Sequence, residues 1–436
     1  MNRTRITDFL SGKSVFEMYQ LYTDSQWFSE SDMQIFQLNK LQKLLSHCYA
    51  NVPYYHNIMN EYGIGITNID SLNILDKFPI LTKEIIQNNY QNFIPTNINS
   101  IPNVRISQTG GTTGNILFKR NDAWTRSSIW GSYKRFQDWM GVQESDKSLI
   151  LMGGHVRKNW IKENLKSKII DWLYNSISVD IYNASKETLE LIIRILKSQN
   201  ISNIRAYPQF IYFLAQNLKE QGLRFNMKSI ATTAEPVMAE HRKLIRSIFN
   251  ADVFDQYGCG EIGGIAYECN KHEGLHITDE RVIVETNNNN ELIITDLDNF
   301  SMPFIRYWNA DQAIVTNEKC SCGRNSKIIK QIMGRTCDYI LGTHGQYLHW
   351  AYFWHLFFDS NIAETRNLKK FQIIQLQNYN IQIRLVALQL SSSEFNFLIG
   401  DLKKRLGNIN VELLYVSDIE NTITGKYRPV ISYLAK

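Results

Sequence analysis

The sequence predicts an α/β protein: a large layered body on a mainly parallel sheet, followed by a smaller α+β unit. Three observations predict it. Helical and strand-like stretches alternate through the middle of the chain. The 436 residues are enough to bury a sizeable core without disulfide staples. From about Leu368 the pattern becomes two strands, a helix and one more strand. Hydrophobic residues at 44% and charged residues at 20% fit a globular chain, and 12% aromatics argue against disorder.

The elements follow in order. Over 32–55 the residues Leu38, Leu41, Leu44, Leu45 and Cys48 share one helical face, and Pro53 stops that helix. Leu81-Thr82-Lys83-Glu84 starts another. A short strand at 104–107 enters a Gly/Thr loop, and 116–118 leaves it. A helix over 122–139 and a buried strand at 148–152 come next. Alternation then sets in: helix 185–199, strand 203–206, helix 208–221, strand 229–232, helix 236–249, strand 252–255. After Tyr257 short strands at 281–285, 291–295 and 312–316 take over, with 287–290 a turn. The tail carries a helix at 393–406 and a strand at 411–416.

Composition excludes several classes. The net charge of +5 is diffuse, so a pI near 8.7 does not by itself imply nucleic acid. The start of the chain has no apolar core of signal-peptide length. The greasiest stretch, 347–358, is broken by His349 and His355 and falls short of the ~20 apolar residues of a spanning helix. The expectation is a cytoplasmic protein without a membrane span.

Two constellations carry chemistry. In Ser107-Gln108-Thr109-Gly110-Gly111-Thr112-Thr113-Gly114, successive backbone N–H groups and hydroxyls can form a concave anion site. No Gly-Lys-Ser/Thr ends it, so it is not a Walker loop. Separately, Cys269 and His276 followed by Cys320 and Cys322 give three thiolates and an imidazole, a set that suits tetrahedral zinc. Gly323 permits the tight turn, and His272 is an alternative fourth ligand. A closed four-ligand site is structural and lies in a subregion near 265–325. Cys48 and Cys337 read as packing residues. Cys259, inside a later motif, reads as a thiol whose alkylation would inhibit.

Further segments complete a resemblance. Thr109–Gly114 (TGGTTG) resembles the phosphate loop of adenylate-forming enzymes, the group of acyl-CoA synthetases and nonribosomal adenylation domains. LQKLLSHCYANVPYY and FPILTKEII resemble the N-terminal region of the phenylacetate–CoA ligase and CapK-like branch. TTAEPV at 232–237 is similar to the adenine-side motif, and DQYGCGEIGG at 255–264 to the YGxTE motif. MPFIRYWNAD at 302–311 resembles the ribose-contact motif, GRTCDYI at 334–340 the hinge, and TITGKYRPVIS at 422–432 the C-terminal lysine motif. The motifs keep the family order and span nearly the whole chain.

The resemblance implies a fold, a reaction and a set of roles. It implies an adenylation domain over 1–337, which binds ATP and a carboxylate, and a mobile C-terminal lid over 338–436, divided at the hinge residue Asp338. The reaction joins a carboxylate to the α-phosphate of ATP, then passes the acyl group to the thiol of coenzyme A or to an amine. Thr112 and Thr113, with the backbone of Ser107, Thr109, Gly110, Gly111 and Gly114, hold phosphates. Glu261 serves magnesium, and Asp311 accepts hydrogen bonds from the ribose. Tyr257 and Gly258, with Ala234, Glu235 and Pro236, flank the adenine. Arg335 is favoured over Arg324 for a phosphate or ribose contact, and Lys426 reaches the reacting carboxylate as a mobile point charge.

Tyr207 and Pro208, with His155 and Trp130 as weaker candidates, border the acyl substrate in the resemblance. CapK-like relatives also carry a similar cysteine set, which implies structural zinc. They are associated with polysaccharide and specialised-metabolite biosynthesis, and a homodimer is compatible with the branch. Two departures stand out. Gly260 replaces the threonine before the glutamate, and Asn309-Ala310 replaces Thr-Gly before the aspartate. These departures motivate a non-catalytic nucleotide-binding relative as the alternative. A zinc-stabilised nucleic-acid binder ranks third, because no basic stripe is present.

Overall fold

A computed structural model describes residues 3–434 apart from 67–68, 110–116, 154–171, 182–183, 235–236, 238, 333–338, 350–351, 354–355, 358–359, 369 and 420–428. Its centre is one eleven-stranded sheet, preceded by a hairpin of β1 (Arg105–Thr109) and β2 (Leu117–Asn121). The sheet contains β3 (Lys147–Met152), β4 (Ser176–Asp180), β5 (Ile201–Ala206), β6 (Ser229–Thr233) and β7 (Asp252–Cys259). It continues through β8 (Gly263–Glu268), β9 (Leu275–Ile277), β10 (Val282–Thr286), β11 (Glu291–Asp296), β12 (Tyr307–Thr316) and β13 (Ile328–Ile332). The spatial order is β10-β11-β12-β13-β9-β8-β7-β6-β5-β3-β4.

The sheet has two halves. From β4 to β7 every neighbouring pair is parallel, and from β7 onward every pair is antiparallel. β7 is the junction. Parallel pairing needs crossover connections, and the helices Lys186–Ser198, Pro208–Glu220 and Ala239–Phe249 supply them. They bury Ile192, Phe210, Leu214 and Ile245 against Leu149, Ile204 and Val253 of the sheet. The opposite face is covered by the helix Ala123–Trp139, whose Phe136 meets Phe254 and Tyr267. A separate core joins N-terminal residues such as Leu41, Leu45 and Tyr55 to the antiparallel half.

The helix starts rest on local side-chain caps. The Asp122 carboxylate accepts from Thr125 N at 2.8 Å, the Thr82 hydroxyl accepts from Ile85 N, and Ser185 and Thr188 form a reciprocal capping box. Pro208 sits in the first turn of its helix. Pro53 both ends and begins helices: Glu30–Asn51 stops before it, and Pro53–Glu61 starts on it. The single helix expected over 32–55 is thus two.

The helix Arg3–Ser11 and the strand β4 were not expected, and β8, β9 and β13 join the short strands read after Tyr257. β7 runs on to Cys259, and β12 begins at Tyr307 rather than near 312. The C-terminal part pairs β14 (Tyr339–Leu341) with β15 (Tyr347–His349). It also holds a sheet of β16 (Lys370–Gln375), β17 (Ile381–Val386), β18 (Val411–Tyr415) and β19 (Val430–Ser432), ordered β18-β17-β16-β19. The helix Ser392–Leu406 packs Leu398, Leu402 and Leu406 on it, capped by the Ser391–Glu394 box.

Buried charges tie the N-terminal helices to the antiparallel half. Lys40 Nζ lies 2.6 Å from Asp298, whose carboxylate also accepts from Ser128 Oγ at 2.6 Å and Trp124 Nε1 at 3.0 Å. Arg135 pairs with Glu280, both buried. Arg281 is fully buried and pairs with Asp296 at 3.0 Å. It also donates to the carbonyls of Ile262 at 2.7 Å and Gly264 at 2.8 Å. Removing one member of such a pair strands the other charge in a low dielectric. Arg281→Met is therefore expected to lower the unfolding free energy by about 3–5 kcal/mol in urea titration. A loss below about 1 kcal/mol would contradict the importance given to this pair.

Candidate active site and metal cluster

The turn between β7 and β8 carries the DQYGCGE segment to the carboxyl end of the parallel strands, where open α/β sheets place ligands. Asp255 is set firmly at its start. Its carboxylate accepts from Thr232 Oγ1 at 2.9 Å, and its backbone N–H donates to Glu268 at 2.7 Å. Burial and the neighbouring Glu268 charge push Asp255 up to about 7. Glu268 is in turn held by Arg242, whose Nη2 donates to both carboxylate oxygens at 2.9 and 3.1 Å.

Tyr257, two residues on, reaches across to β12. Its hydroxyl donates to Asp311 Oδ2 at 2.8 Å and accepts from Asn309 Nδ2 at 2.7 Å. Burial, then the Asp311 charge, raises the Tyr257 phenol well above its ordinary range, so it stays a donor. Asn309 also donates to Asp311 at 3.2 Å and accepts from the Asp311 N–H at 3.1 Å. Burial pushes the Cys259 thiol up to about 12, which keeps it protonated at neutral pH and slows the alkylation that would inhibit.

Asp311 is aimed by a break in the ladder. β11 pairs Glu291 with Gln312 but Ile293 with Trp308, so extra β12 residues bulge out between them. Ala310, in the bulge, has φ 63°, the left-handed region. This explains why the family motif carries glycine there, and it marks Ala310 as strained. Ala234, at the end of β6, has φ 72°.

Glu261 lies on the turn after β7. The turn's backbone is gripped from two sides. Arg281 takes the Ile262 and Gly264 carbonyls, and Lys119 Nζ donates to the Glu261 carbonyl at 3.3 Å. Lys119, on β2, is nearly fully buried, and burial lowers its ammonium pKa. Sequence reasoning passed over it. The available signal was a lysine on the strand that leaves the glycine loop.

The remaining sequence candidates fall unevenly. Ser107 and Thr109 lie on β1, facing Lys119 and Leu117 in the hairpin register. Gly258 sits on β7 against Gly264. Tyr207 caps the helix Pro208–Glu220 and is buried in the core with that helix. Trp130 is 44% exposed and stands edge-to-face to Tyr133 at 5.7 Å. Gly110, Gly111, Thr112, Thr113, Gly114, His155, Glu235, Pro236, Arg335, Cys337, Asp338 and Lys426 lie outside the described residues. Arg324 is not at this site. Its guanidinium lies over Trp27 at 4.9 Å and Trp139 at 4.4 Å, and it donates to Gln26 at 2.7 Å.

Cys269, His276, Cys320 and Cys322 do converge, with ligand atoms all within 4.8 Å of one another. Cys269 follows β8, His276 lies on β9, and the other two sit in the turn before β13. Cys269 Sγ is 3.7 Å from Cys320 Sγ, and Cys322 Sγ is 3.4 Å from His276 Nε2. A tetrahedral ion with bonds of about 2.3 Å to sulfur and 2.0 Å to nitrogen sets its ligands about 3.5–3.8 Å apart. Ser326 Oγ meets His276 Nδ1 at 2.7 Å, which leaves Nε2 facing the cysteines. Burial, then the charges of Arg324 and Arg135, pushes His276 down to about 4, so its imidazole is neutral. His272 is excluded from the cluster, since its Nδ1 lies 3.1 Å from Glu268 instead.

Comparison with known proteins agrees with this arrangement at the level of fold. The chain has the α/β fold of the adenylate-forming ligases. It superposes on 2-hydroxyisobutyryl-CoA ligase with its acyl-AMP and coenzyme A in the thioesterification state at a TM-score of 0.62. That match has 16% identity and covers 94% of this chain and 91% of that one. The postadenylation state gives 0.58 at 15% identity.

In sequence, the chain is similar to the phenylacetate–coenzyme A ligase of Pseudomonas putida, at 22% identity over 85% of this chain and 86% of that one. The Thermus thermophilus enzyme is 22% identical over 74% of both chains. Residues 340–433 match the CapK C-terminal domain family. The chain is thus similar to phenylacetate–coenzyme A ligases over most of its length, and its C-terminal part matches the CapK C-terminal domain. Among the described residues, no helix is long and apolar enough to cross a membrane.

The strained bulge yields a test. Ala310→Gly is expected to raise the unfolding free energy by about 0.5–1 kcal/mol, because glycine meets φ 63° without a Cβ clash. Equal or lower stability in urea titration would contradict the strain.

Proposed function

We propose that the protein is an ATP-dependent adenylate-forming ligase. It activates a carboxylic acid as acyl-AMP, releases pyrophosphate, and hands the acyl group to the thiol of coenzyme A or to an amine. The observation that carries this reading is the convergence at the β7 end: Tyr257 hydrogen-bonded to Asp311, with Glu261 on the adjoining turn. This convergence stands in a chain similar to phenylacetate–coenzyme A ligases over most of its length.

The chemistry assigns the residues. Two anions must meet, so the site has to neutralise charge and exclude water. Asp311, oriented by Tyr257 and Asn309, accepts from the ribose hydroxyls. Glu261 is the carboxylate suited to a magnesium ion, which would supply charge neutralisation at the phosphates. The 107–114 loop, through Thr112, Thr113 and its backbone N–H groups, takes the phosphates. Ala234, Glu235, Pro236 and Gly258 border the base, and Arg335 contacts ribose or phosphate. Gly260, exposed on the turn, brings no hydroxyl to the α-phosphate, so the loop and Lys426 carry more of that charge. The acyl group lies near Tyr207, Pro208 and His155.

We take residues 1–337 and 338–436 as two units that pivot at Asp338. In support, a core of Leu348, Phe353, Phe371, Ile383 and Leu402 forms within the C-terminal part alone. The pivot would bring Lys426 to the reacting carboxylate for the first step and withdraw it for the second. Lys426→Ala is expected to cut carboxylate-dependent exchange of labelled pyrophosphate into ATP by a hundredfold or more. It should leave transfer from a supplied acyl-adenylate active. Unchanged exchange would contradict the lysine's role.

The four-ligand cluster is assigned to structural zinc, on the chemistry and spacing of its donors. Three thiolates and a neutral imidazole leave no open position for a substrate. Elemental analysis of the protein as purified should find about one zinc per chain. Cys322→Ser should lower that content and the melting temperature together. A metal-free protein of undiminished stability would contradict the assignment.

A further inference from the structure

The helix Ala123–Trp139 covers one face of the sheet near the carboxyl end of the parallel strands, and Arg205 lies on that face without a carboxylate partner among the described residues. Arg205 is the penultimate residue of β5, in register with Ile150 of β3 and Ala231 of β6. Its strand neighbours Ile204 and Ala206 point into the core behind the sheet, so Arg205 points to the other face, toward the helix. There its guanidinium lies over the Tyr133 ring at 4.5 Å. With the Gln256 amide oriented oxygen-first, that oxygen accepts from Arg205 at 3.1 and 2.9 Å.

Four other enclosed arginines of the body meet a carboxylate: Arg135 has Glu280, Arg242 has Glu268, Arg281 has Asp296 and Arg306 has Glu285. Arg324 does not, but it is closed in between Trp27 and Trp139, away from the strand ends. Among the described residues, no carboxylate lies within ion-pair distance of Arg205. A half-buried guanidinium without a counterion carries a desolvation cost that an incoming anion would relieve. The location fits an incoming substrate. Arg205 is two residues before Tyr207-Pro208, Gln256 precedes Tyr257, and Trp130 extends the aromatic wall beside Tyr133.

We infer that Arg205 forms an anion subsite in the acyl pocket, and that the acid activated here carries a second carboxylate, remote from the one that reacts. The inference rests on the adenylate-forming reading. Arg205 holds the second carboxylate bidentately, Gln256 fixes the guanidinium plane, and Tyr133 covers one face of it. A plain hydrocarbon acid would leave that charge buried and unpaired, so the subsite discriminates against it.

The test uses the full-length protein with ATP and magnesium. Straight-chain monoacids are compared with the corresponding α,ω-diacids, and benzoate with isophthalate. Two readouts are taken: kcat/KM for pyrophosphate release, and acid binding by calorimetry. In the wild type the diacid-to-monoacid ratio of kcat/KM is expected to exceed about tenfold. In Arg205→Met it should collapse toward one, and Arg205→Lys should recover part of it. A wild-type ratio at or below one with monoacids turned over, or an unchanged ratio in Arg205→Met, would overturn the subsite and leave the adenylation reading standing. If no acid supports pyrophosphate release, the adenylation reading fails. Calorimetry then decides the subsite separately: diacid binding that Arg205→Met abolishes supports it, and absence of diacid binding overturns it.

Discussion

One fully buried guanidinium holds the functional end of the sheet. Arg281 grips the carbonyls of Ile262 and Gly264 while its charge is met by Asp296. It thereby fixes the turn that follows β7, at the strand where parallel pairing gives way to antiparallel pairing. Lys119 grips the same turn from the β1–β2 hairpin, so the segment bearing Glu261 is bound to the strand that leaves the glycine loop. Tyr257 then joins β7 to the bulge of β12. Three distant stretches of sequence meet there because buried polar groups must find partners.

The metal cluster answers a similar need elsewhere. Residues 269–274 and 317–327, which connect β8 to β9 and β12 to β13, are short of apolar side chains. With the proposed zinc bound, the three thiolates and the imidazole would give these connections a cross-link that packing alone does not supply. The neighbouring Arg324, between Trp27 and Trp139, extends that anchoring to the N-terminal helices.

Much of this was legible in the sequence. Where a cap and an amphipathic period coincide, as at Asp122 and Ser185, the helices stand where the pattern puts them. The ordered motifs pointed to the β7 turn and to Asp311, which the fold brings together through Tyr257, and the cysteine spacing pointed to four donors that converge. What escaped depends on tertiary partners. β8, β9 and β13 take their register from neighbours rather than from alternation. Pro53 reads as a stop because local rules do not say that a second helix begins on it. The left-handed Ala310 carries no glycine to announce its bulge. Arg205 and Lys119 belong to no motif, and only the fold shows what faces them.

The central claim is that the β7 end activates a carboxylate on ATP. The most direct measurement is mass detection of an acyl-AMP after incubation with ATP, magnesium and a carboxylic-acid library. The account predicts at least one acid-dependent adenylate, formed with stoichiometric pyrophosphate. ATP binding without any acid-dependent adenylate or pyrophosphate across a broad library would contradict it.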